Sequence, residues 1–181
     1  IDDNGRCDFL TNSYLDHDAY IWYQGTSSWE KVTVSDDVFY NRAVDAADID
    51  DDGDLDYLAV AQGGYNNGGI YWWENTGDDS WPRHDVDPAF QRGASLETPD
   101  IDGDGDPDVL VSSRDDPDHT TPGVVAWWEN ENDGSSWTKH VVNDEFWESY
   151  VAAGADIDSD GDIDIIASSE GLERVRWFEN L

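Results

Sequence analysis

The chain has few basic residues, one cysteine and no methionine, and these shortages narrow its possible functions. Lysine and arginine together number 9 against 43 aspartates and glutamates, so the formal net charge is -34 at pH 7. This charge repels nucleic acid and anionic lipid, and long apolar runs are lacking. We therefore expect no nucleic-acid partner and no membrane insertion. Cations are the natural ligands.

The single cysteine, Cys7, excludes an internal disulfide bond. The acidic excess has two interpretations. It suits metal binding, and it also suits a saline environment, where dissolved salt screens charges over a few ångströms.

One acidic loop occurs three times and dominates the sequence. Its copies are DIDDDGDLD from Asp48, DIDGDGDPD from Asp100 and DIDSDGDID from Asp156, spaced roughly 50 residues apart. The chain also opens inside a degenerate fourth copy, IDDNGRCD from Ile1. The protein is therefore predicted to be a repeat array.

Each loop is followed by the same order of short segments: an apolar strand, a Trp-rich strand, a strand introduced by Ser-Trp, and a strand of small residues. The Trp-rich strands end in WWEN, WWEN and WFEN, and AYIWYQG is taken as the divergent first version. This alignment places four tryptophans at one repeated position between adjacent sheets: Trp22, Trp72, Trp127 and Trp177. Four short strands in about 50 residues are typical of a propeller blade.

The motif Asp-x-Asp-x-Asp-Gly-x-x-Asp, met in full at Asp48, Asp100 and Asp156, resembles that of the FG-GAP or VCBS repeat propellers. These are related in blade design to the integrin α-subunit head, although the FG-GAP tripeptides are absent here. The resemblance covers essentially the whole chain. It implies an extracellular, calcium-stabilised scaffold used for adhesion, for glycan binding or as an appendage of secreted enzymes.

The predicted fold is an all-β propeller of four-stranded antiparallel blades, with about three and a half to four blades in this chain. Residues 1–181 form a single propeller or propeller segment, with units of about 1–40, 41–90, 91–145 and 146–181. The first unit lacks its first strand and the last lacks its fourth. A larger ring, a closed ring and a ring completed by a partner therefore all stay open.

Calcium takes six to eight oxygen ligands, and carboxylates at loop positions one, three, five and nine with the carbonyl at seven can surround one ion. The ligands predicted for the three full loops are Asp48, Asp50, Asp52, Asp54 and Asp56, then Asp100, Asp102, Asp104, Asp106 and Asp108, then Asp156, Asp158, Asp160, Asp162 and Asp164. The degenerate copy offers Asp2, Asn4, Arg6 and Asp8 as a weaker fourth site. Glycine at position six permits the sharp turn.

Two alternatives to this calcium loop are less consistent with the sequence. Simple acidic turns would gain nothing from repeating four carboxylates that repel each other by roughly 1 to 4 kcal/mol per close pair. An EF-hand requires an acidic ligand at position twelve and a helix after the loop. Position twelve is Ala59, Val111 or Ala167, and a strand follows.

No catalytic constellation stands out, so we expect that the protein is not an enzyme. His84 and His140 recur at one repeat position, which favours a structural role. His17 and His119 are unrepeated but have no nucleophile or metal partner at a recognisable spacing.

Two binding functions remain open. The leading one is an extracellular or cell-surface calcium-binding scaffold for adhesion or self-assembly, whose partners are other proteins or copies of itself. The alternative is a lectin-like module attached to a secreted carbohydrate-active protein. Aromatic rings stack on sugar faces and amides bond hydroxyls, so the candidate glycan contacts are Tyr65, Asn66, Asn67, Trp147 and Tyr150.

Overall fold

A computed structural model describes residues 5–15, 17–38, 40–63, 68–78, 80–170 and 174–180. Within these ranges the chain forms strands β1 to β14, arranged as four separate antiparallel sheets that no strand closes into a barrel. The all-β prediction and the antiparallel blade design are confirmed. The described residues include no helix with the length and apolarity needed to cross a bilayer.

The four sheets follow each other along the chain, with three or four strands each. The first contains β1 (Phe9–Asn12), β2 (Ala19–Gln24) and β3 (Trp29–Ser35). The second contains β4 (Asn41–Ala47), β5 (Asp56–Ala61), β6 (Gly69–Trp73) and β7 (Arg83–Asp87). The third contains β8 (Gly93–Glu97), β9 (Val109–Ser113), β10 (Gly123–Glu131) and β11 (Ser136–Phe146). The fourth contains β12 (Ser149–Ala155), β13 (Asp164–Ser169) and β14 (Arg174–Phe178).

Each full acidic loop connects the first two strands of its sheet. The loops from Asp48, Asp100 and Asp156 join β4 to β5, β8 to β9 and β12 to β13. Strands β4, β8 and β12 also contact one another in sequence, and β4 contacts β1. Each full acidic loop therefore begins where a strand that contacts a neighbouring sheet ends.

Strand β7 starts later than the sequence suggests. The segment from Ser80 to Val86 is predicted as a strand, but pairing with β6 begins only at Arg83. Pro82 has no N–H to give to a ladder, and its carbonyl instead accepts a hydrogen bond from the Glu74 N–H at 3.1 Å.

Each inner sheet buries both faces, because alternate side chains point to opposite sides. We call the side of a sheet that packs on the following sheet its forward face, and the side that packs on the preceding sheet its rear face. In the second sheet, Leu58, Ile70 and Trp72 on the forward face pack against the third sheet. Tyr57, Ala59 and Trp73 on the rear face pack against the first. The third and fourth sheets meet through a further apolar cluster.

The predicted alignment of the first repeat is wrong by one residue. Phe9, which follows the loop, pairs with Trp22, whereas the equivalent Tyr57 pairs with Trp73. Trp22 therefore corresponds to Trp73 and not to Trp72. A shift of one residue transfers a side chain to the other face of a sheet, so Trp22 belongs to the rear face.

The expectation that all four tryptophans are packed between sheets is also wrong in part. Trp72 is buried, and Trp127 is partly buried against the fourth sheet. Trp177, at the equivalent position in the last sheet, keeps 48% of its surface exposed. No following sheet covers it within the described residues.

Candidate metal centres

Each full loop brings three carboxylates together at positions one, three and nine. One oxygen from each residue lies within 4.8 Å of the others in the groups Asp48, Asp50 and Asp56, then Asp100, Asp102 and Asp108, then Asp156, Asp158 and Asp164. These three groups can hold a metal ion. Carboxylates this close together repel one another when all of them are ionised. A cation between them would neutralise that repulsion.

The backbone of each loop turns sharply at two positions. Gly53, Gly105 and Gly161 at position six have φ angles of 97°, 107° and 106°, a region that glycine adopts readily. Position four is also left-handed, with Asp51 at 57° and Ser159 at 68°. Only the turn at position six was predicted from the sequence, because position four is aspartate or serine in two of the three loops and neither residue requires a positive φ.

The carboxylate at position nine anchors the loop to the sheet. Asp56 accepts the Ile49 N–H at 2.9 Å and the Asn75 N–H at 2.8 Å, one on each oxygen. Asp108 accepts equivalent bonds from Ile101 and Asn130. These buried carboxylates are therefore structural acceptors as well as candidate ligands.

Burial also changes the pKa values of the carboxylates at position nine. Desolvation raises the pKa of Asp56 to about 7 and that of Asp108 to about 6. The pKa of the equivalent Asp164 is instead lowered, chiefly by the hydrogen bond from the Asn180 N–H. The side chains of Asp56 and Asp108 are therefore costly to ionise unless a cation is present.

Asp50 supports the fit of a hard cation. Its Oδ1 is buried and has no hydrogen-bond partner. Desolvation and then the Asp52 charge raise its pKa. An unpaired buried oxygen beside two further carboxylates is a chemically suitable ligand for an oxygen-seeking cation such as calcium.

The remaining predicted ligands are less closely grouped. The position-five carboxylates lie outside the three close groups, and each accepts the N–H of position seven: Asp52 from Asp54, Asp104 from Asp106, and Asp160 from Asp162. The carbonyls of Asp54, Asp106 and Asp162 stay predicted ligands.

The fourth site in the degenerate copy also stays a prediction. Asp2 and Asn4 lie outside the described residues, and Arg6 is exposed. Asp8 accepts the Gln24 N–H at 2.9 Å, which is the same bond that Asp56 accepts from Asn75.

Two asparagines that were not predicted from the sequence bond the loops of the second and third sheets to the sheet that follows. The side-chain Nδ2 of Asn130, in the third sheet, donates to the Ile49 carbonyl in the loop of the second sheet at 2.9 Å. Asn180 donates to Ile101 in the third sheet's loop at 2.9 Å. Their available signal was the repeated Glu-Asn that ends each Trp-rich strand.

The candidate glycan contacts are only partly described. Tyr65, Asn66 and Asn67 lie outside the described residues. Trp147 is half-buried, and its carbonyl accepts the Ser169 hydroxyl. Tyr150 is exposed, with the Arg114 guanidinium 4.7 Å from its ring centre.

The two repeated histidines have matching environments. His84 stacks on Trp72 with 4.3 Å between ring centres, and His140 stacks on Trp127 at 4.2 Å. Each also contacts a glutamate through Nε2, at 3.0 Å for Glu74 and 2.7 Å for Glu129. This repetition agrees with a structural role for both side chains.

Comparison with known families agrees with the repeat boundaries seen in the structure. A family described as FG-GAP-like repeat matches residues 48–111 and 100–167, each match running from one acidic loop past the next. A search among curated proteins found no match. The finer relation to VCBS repeats and the integrin head stays a prediction. Because the matched segments together cover more than half of its length, the chain belongs to the family of FG-GAP-like repeat proteins.

Proposed function

We propose that the protein is an extracellular calcium-binding repeat scaffold for adhesion or self-assembly. The observation that carries this proposal is the position of three acidic groups between the first two strands of a sheet, where the loops of the second and third sheets are also bonded to the sheet that follows. An ion bound by the grouped carboxylates would hold the loop in the conformation that its own sheet requires. The same conformation presents the loop carbonyl to the asparagine of the sheet that follows.

Calcium suits these groups better than magnesium or a transition metal. The grouped donors are carboxylate oxygens, with no histidine or cysteine among them. Calcium accepts six to eight such oxygens in irregular geometry, whereas magnesium requires a near-ideal octahedron. Extracellular modules bind calcium at roughly 10⁻⁴ to 10⁻³ M, which suits a location outside the cell.

The ion has a structural role in this proposal. Binding to the folded state alone adds about 2.7 kcal/mol per site at a hundredfold excess over the dissociation constant. Three sites therefore contribute as much as the whole free energy of unfolding of many domains, which is about 5 to 15 kcal/mol.

Thermal unfolding with and without chelator tests this role. We expect the Tm in 2 mM calcium to exceed that in EDTA by more than about 10 °C, because each kcal/mol corresponds to about 2 to 4 °C in a chain of this size. Magnesium at the same concentration is the control and is expected to restore little. An identical Tm in calcium and EDTA would contradict a structural calcium role.

We also propose that the scaffold is not catalytic. The repeated histidines stack on tryptophans and contact glutamates in equivalent sheets, as expected for packing. Assays for hydrolase activity on glycans and peptides, with the boiled protein as a control, test this. Turnover that calcium-loaded protein sustains and boiled protein lacks would contradict it.

Glycan binding is a second candidate function, supported by a groove between the third and fourth sheets. The groove has a volume of about 380 Å³ and is lined by Arg114, Asp115, His119, Glu148, Ser149 and Glu170. The buried Ser149 Oγ has no hydrogen-bond partner. Hydroxyl, carboxylate and guanidinium groups together match the donors and acceptors of a sugar.

A glycan array tests this second function. Saturable binding that is lost in Trp147→Ala and Tyr150→Ala would support it. Trp29→Ala, which removes an exposed aromatic ring from the first sheet, is the matched control and is expected to bind normally. No signal on the array would remove this candidate.

A further inference from the structure

The groove between the third and fourth sheets carries an excess of negative charge. Within the described residues it is lined by three carboxylates, those of Asp115, Glu148 and Glu170, and by one guanidinium, that of Arg114. With His119 neutral, three negative charges and one positive charge give the lining a formal charge of -2. The net charge of -34 on the whole chain acts in the same direction, because it attracts cations and repels anions.

The cationic side chains of the groove already have partners. Arg114 Nη2 lies 3.5 Å from Glu170 Oε2, and His119 Nδ1 contacts Asp115 Oδ2. None of the ion pairs among the described residues involves Glu148. A cationic ligand would give this carboxylate an opposite charge that the groove itself does not supply.

Two polar side chains of the groove are largely removed from water. The Asp115 side chain is 8% exposed, and the contact with His119 offsets its charge only when the imidazole is protonated. Ser149 is fully buried, and its Oγ has no hydrogen-bond partner. Buried charges and unpaired buried hydroxyls both raise the free energy of the folded state. A ligand with a positive charge and hydrogen-bonding groups would lower both costs.

Backbone hydrogen bonds hold both walls of the groove. On the side of the third sheet, the Asp116 N–H donates to the Thr121 carbonyl at 3.0 Å, which closes the loop between β9 and β10. On the side of the fourth sheet, the Glu170 N–H donates to the Glu148 carbonyl at 3.0 Å. The groups of the groove are therefore preorganised, which reduces the entropy lost when a ligand binds.

The spacing of these groups suits an organic cation better than a metal ion. Among the described residues, no three acidic or histidine ligand atoms of this groove lie within 4.8 Å of one another, as they do in the acidic loops. The volume of about 380 Å³ is that of a small-molecule site. Polar groups lie on both walls, so a ring with hydroxyls around its edge contacts more of them than a linear alkylammonium chain does.

We propose that this groove binds a sugar that carries a free, protonated amine. The ammonium group lies beside Asp115 and Glu148. A ring hydroxyl bonds the Arg114 guanidinium, and another faces Ser149. This inference rests on the glycan-binding candidate and narrows its ligand to the amino sugars. Neutral sugars leave the charge of the groove uncompensated, and acidic sugars add to it.

Isothermal titration with three methyl glycosides, in 2 mM calcium at about pH 7, tests the ligand class. Methyl glucosaminide carries a free amine, which is largely protonated at this pH. Methyl N-acetylglucosaminide carries a neutral amide on the same carbon, and methyl glucoside carries a hydroxyl there. The amine is expected to bind at least about tenfold more tightly than either neutral sugar.

The same titrations separate this inference from the glycan-binding candidate. Equal affinities for the three glycosides would overturn the amine requirement and would retain glycan binding. No binding of any of them would overturn the inference, and the glycan array then decides whether the chain binds another sugar.

Two variants locate the site. Glu148→Gln and Asp115→Asn each remove one negative charge with little change of shape, and each is expected to weaken methyl glucosaminide binding at least about fivefold. Asp118→Asn is the matched control, because it removes a charge from an exposed position of the same loop that does not line this groove. Its affinity is expected to equal that of the wild type. Equal weakening in all three variants, or unchanged affinity in Glu148→Gln, would overturn the assignment to this groove.

A lysine derivative separates the sugar from the amine. Nα-acetyl-lysine amide carries the same ammonium charge on a linear chain, and it lacks the hydroxyls that bond Arg114. It is therefore expected to bind at least about tenfold more weakly than methyl glucosaminide. Equal affinity for the two compounds would overturn the sugar requirement and would assign the groove to basic side chains.

Discussion

At the residue scale, Asn130 connects two sheets through both ends of its amide. Its Nδ2 donates to the Ile49 carbonyl, and its Oδ1 accepts the Gly134 N–H at 2.7 Å. The residue is buried, so water cannot replace either bond. Gly134 fits closely here as well, because a Cβ at this position would lie 2.8 Å from the side chains of Ile49 and Trp72.

Replacement of Asn130 by alanine is therefore expected to lower the free energy of unfolding by about 2 kcal/mol or more, since two buried backbone groups lose their partners. Urea unfolding in calcium measures the change. Asn180→Ala is the matched control: it removes the equivalent bond from a half-buried position, where water can substitute, and should cost less. Equal losses in the two variants would contradict this account.

The raised pKa values of Asp56 and Asp108 predict an unusual pH dependence for the stability of the metal-free protein. Their pKa values of about 7 and about 6 lie above the ordinary value near 3.9 of an unfolded aspartate. Between about pH 4 and 7 the folded state therefore holds protons that the unfolded state has released. Stability contributed by these protons is present at low pH and falls as the pH rises through this window.

In EDTA, the Tm at pH 5.5 is expected to exceed that at pH 7.5 by about 3 to 8 °C. In calcium the order should reverse or flatten, because the ion binds the ionised carboxylates and replaces the protons. Asp108→Asn, which cannot titrate, should show a smaller difference in EDTA. A Tm in EDTA that rises from pH 5.5 to 7.5 would show that these burial effects do not govern the pH dependence.

At the scale of the element, the acidic loop from Asp48 has a grouped aspartate and an exposed, ungrouped aspartate at adjacent positions. Asp50 lies in a close carboxylate group, whereas the neighbouring Asp51 is exposed, has a φ of 57° and belongs to none of the three groups. The two side chains have the same formal charge but different positions relative to the candidate ion. They offer a matched test of where the ion binds.

Asp50→Asn is expected to remove one calcium equivalent in isothermal titration, and Asp51→Asn is expected to retain all of them. Asparagine tolerates the left-handed backbone of position 51, so this variant changes charge without adding strain. If both variants lose the same amount of binding, then overall charge, and not the close carboxylate group, determines calcium affinity.

The loops and strands were largely predictable because each leaves a local pattern. The spacing of aspartates around Gly53 reports ligand positions and a turn, and short apolar runs report strands. Contacts between sheets leave weaker patterns. Asn130 reaches a carbonyl far away in sequence, and the shifted alignment of Trp22 became clear only from the pairing of Phe9.

Burial of the tryptophans could not be predicted from repeat position alone. Trp72 and Trp177 share a position, but only Trp72 has a following sheet within the described residues. Burial is a property of the neighbouring sheet as much as of the residue. The sequence motif therefore predicts the strand but does not predict whether another sheet covers it.

At the scale of the whole molecule, charge repulsion opposes the compact state. A net charge of -34 with only 9 basic residues leaves most carboxylates without a cationic partner. Sodium chloride shortens the screening length from about 30 Å at 0.01 M to about 3 Å at 1 M. High salt should therefore relieve much of this repulsion.

In EDTA, raising sodium chloride from 0.05 to 1 M is expected to increase the Tm by about 5 °C or more. The calcium-loaded protein is the control, and its increase should be smaller because bound ions already neutralise the densest acidic groups. A Tm that is independent of salt in EDTA would remove the physical basis for a saline environment.

The asparagine bridges also give the row of sheets a direction. The loop of the second sheet is held by Asn130 of the third, and the loop of the third sheet by Asn180 of the fourth, so each sheet supports the loop of its predecessor. We therefore expect that a disturbed loop first weakens the contact between its own sheet and the sheet that follows. Loss of structure should then spread along the row of sheets in one direction.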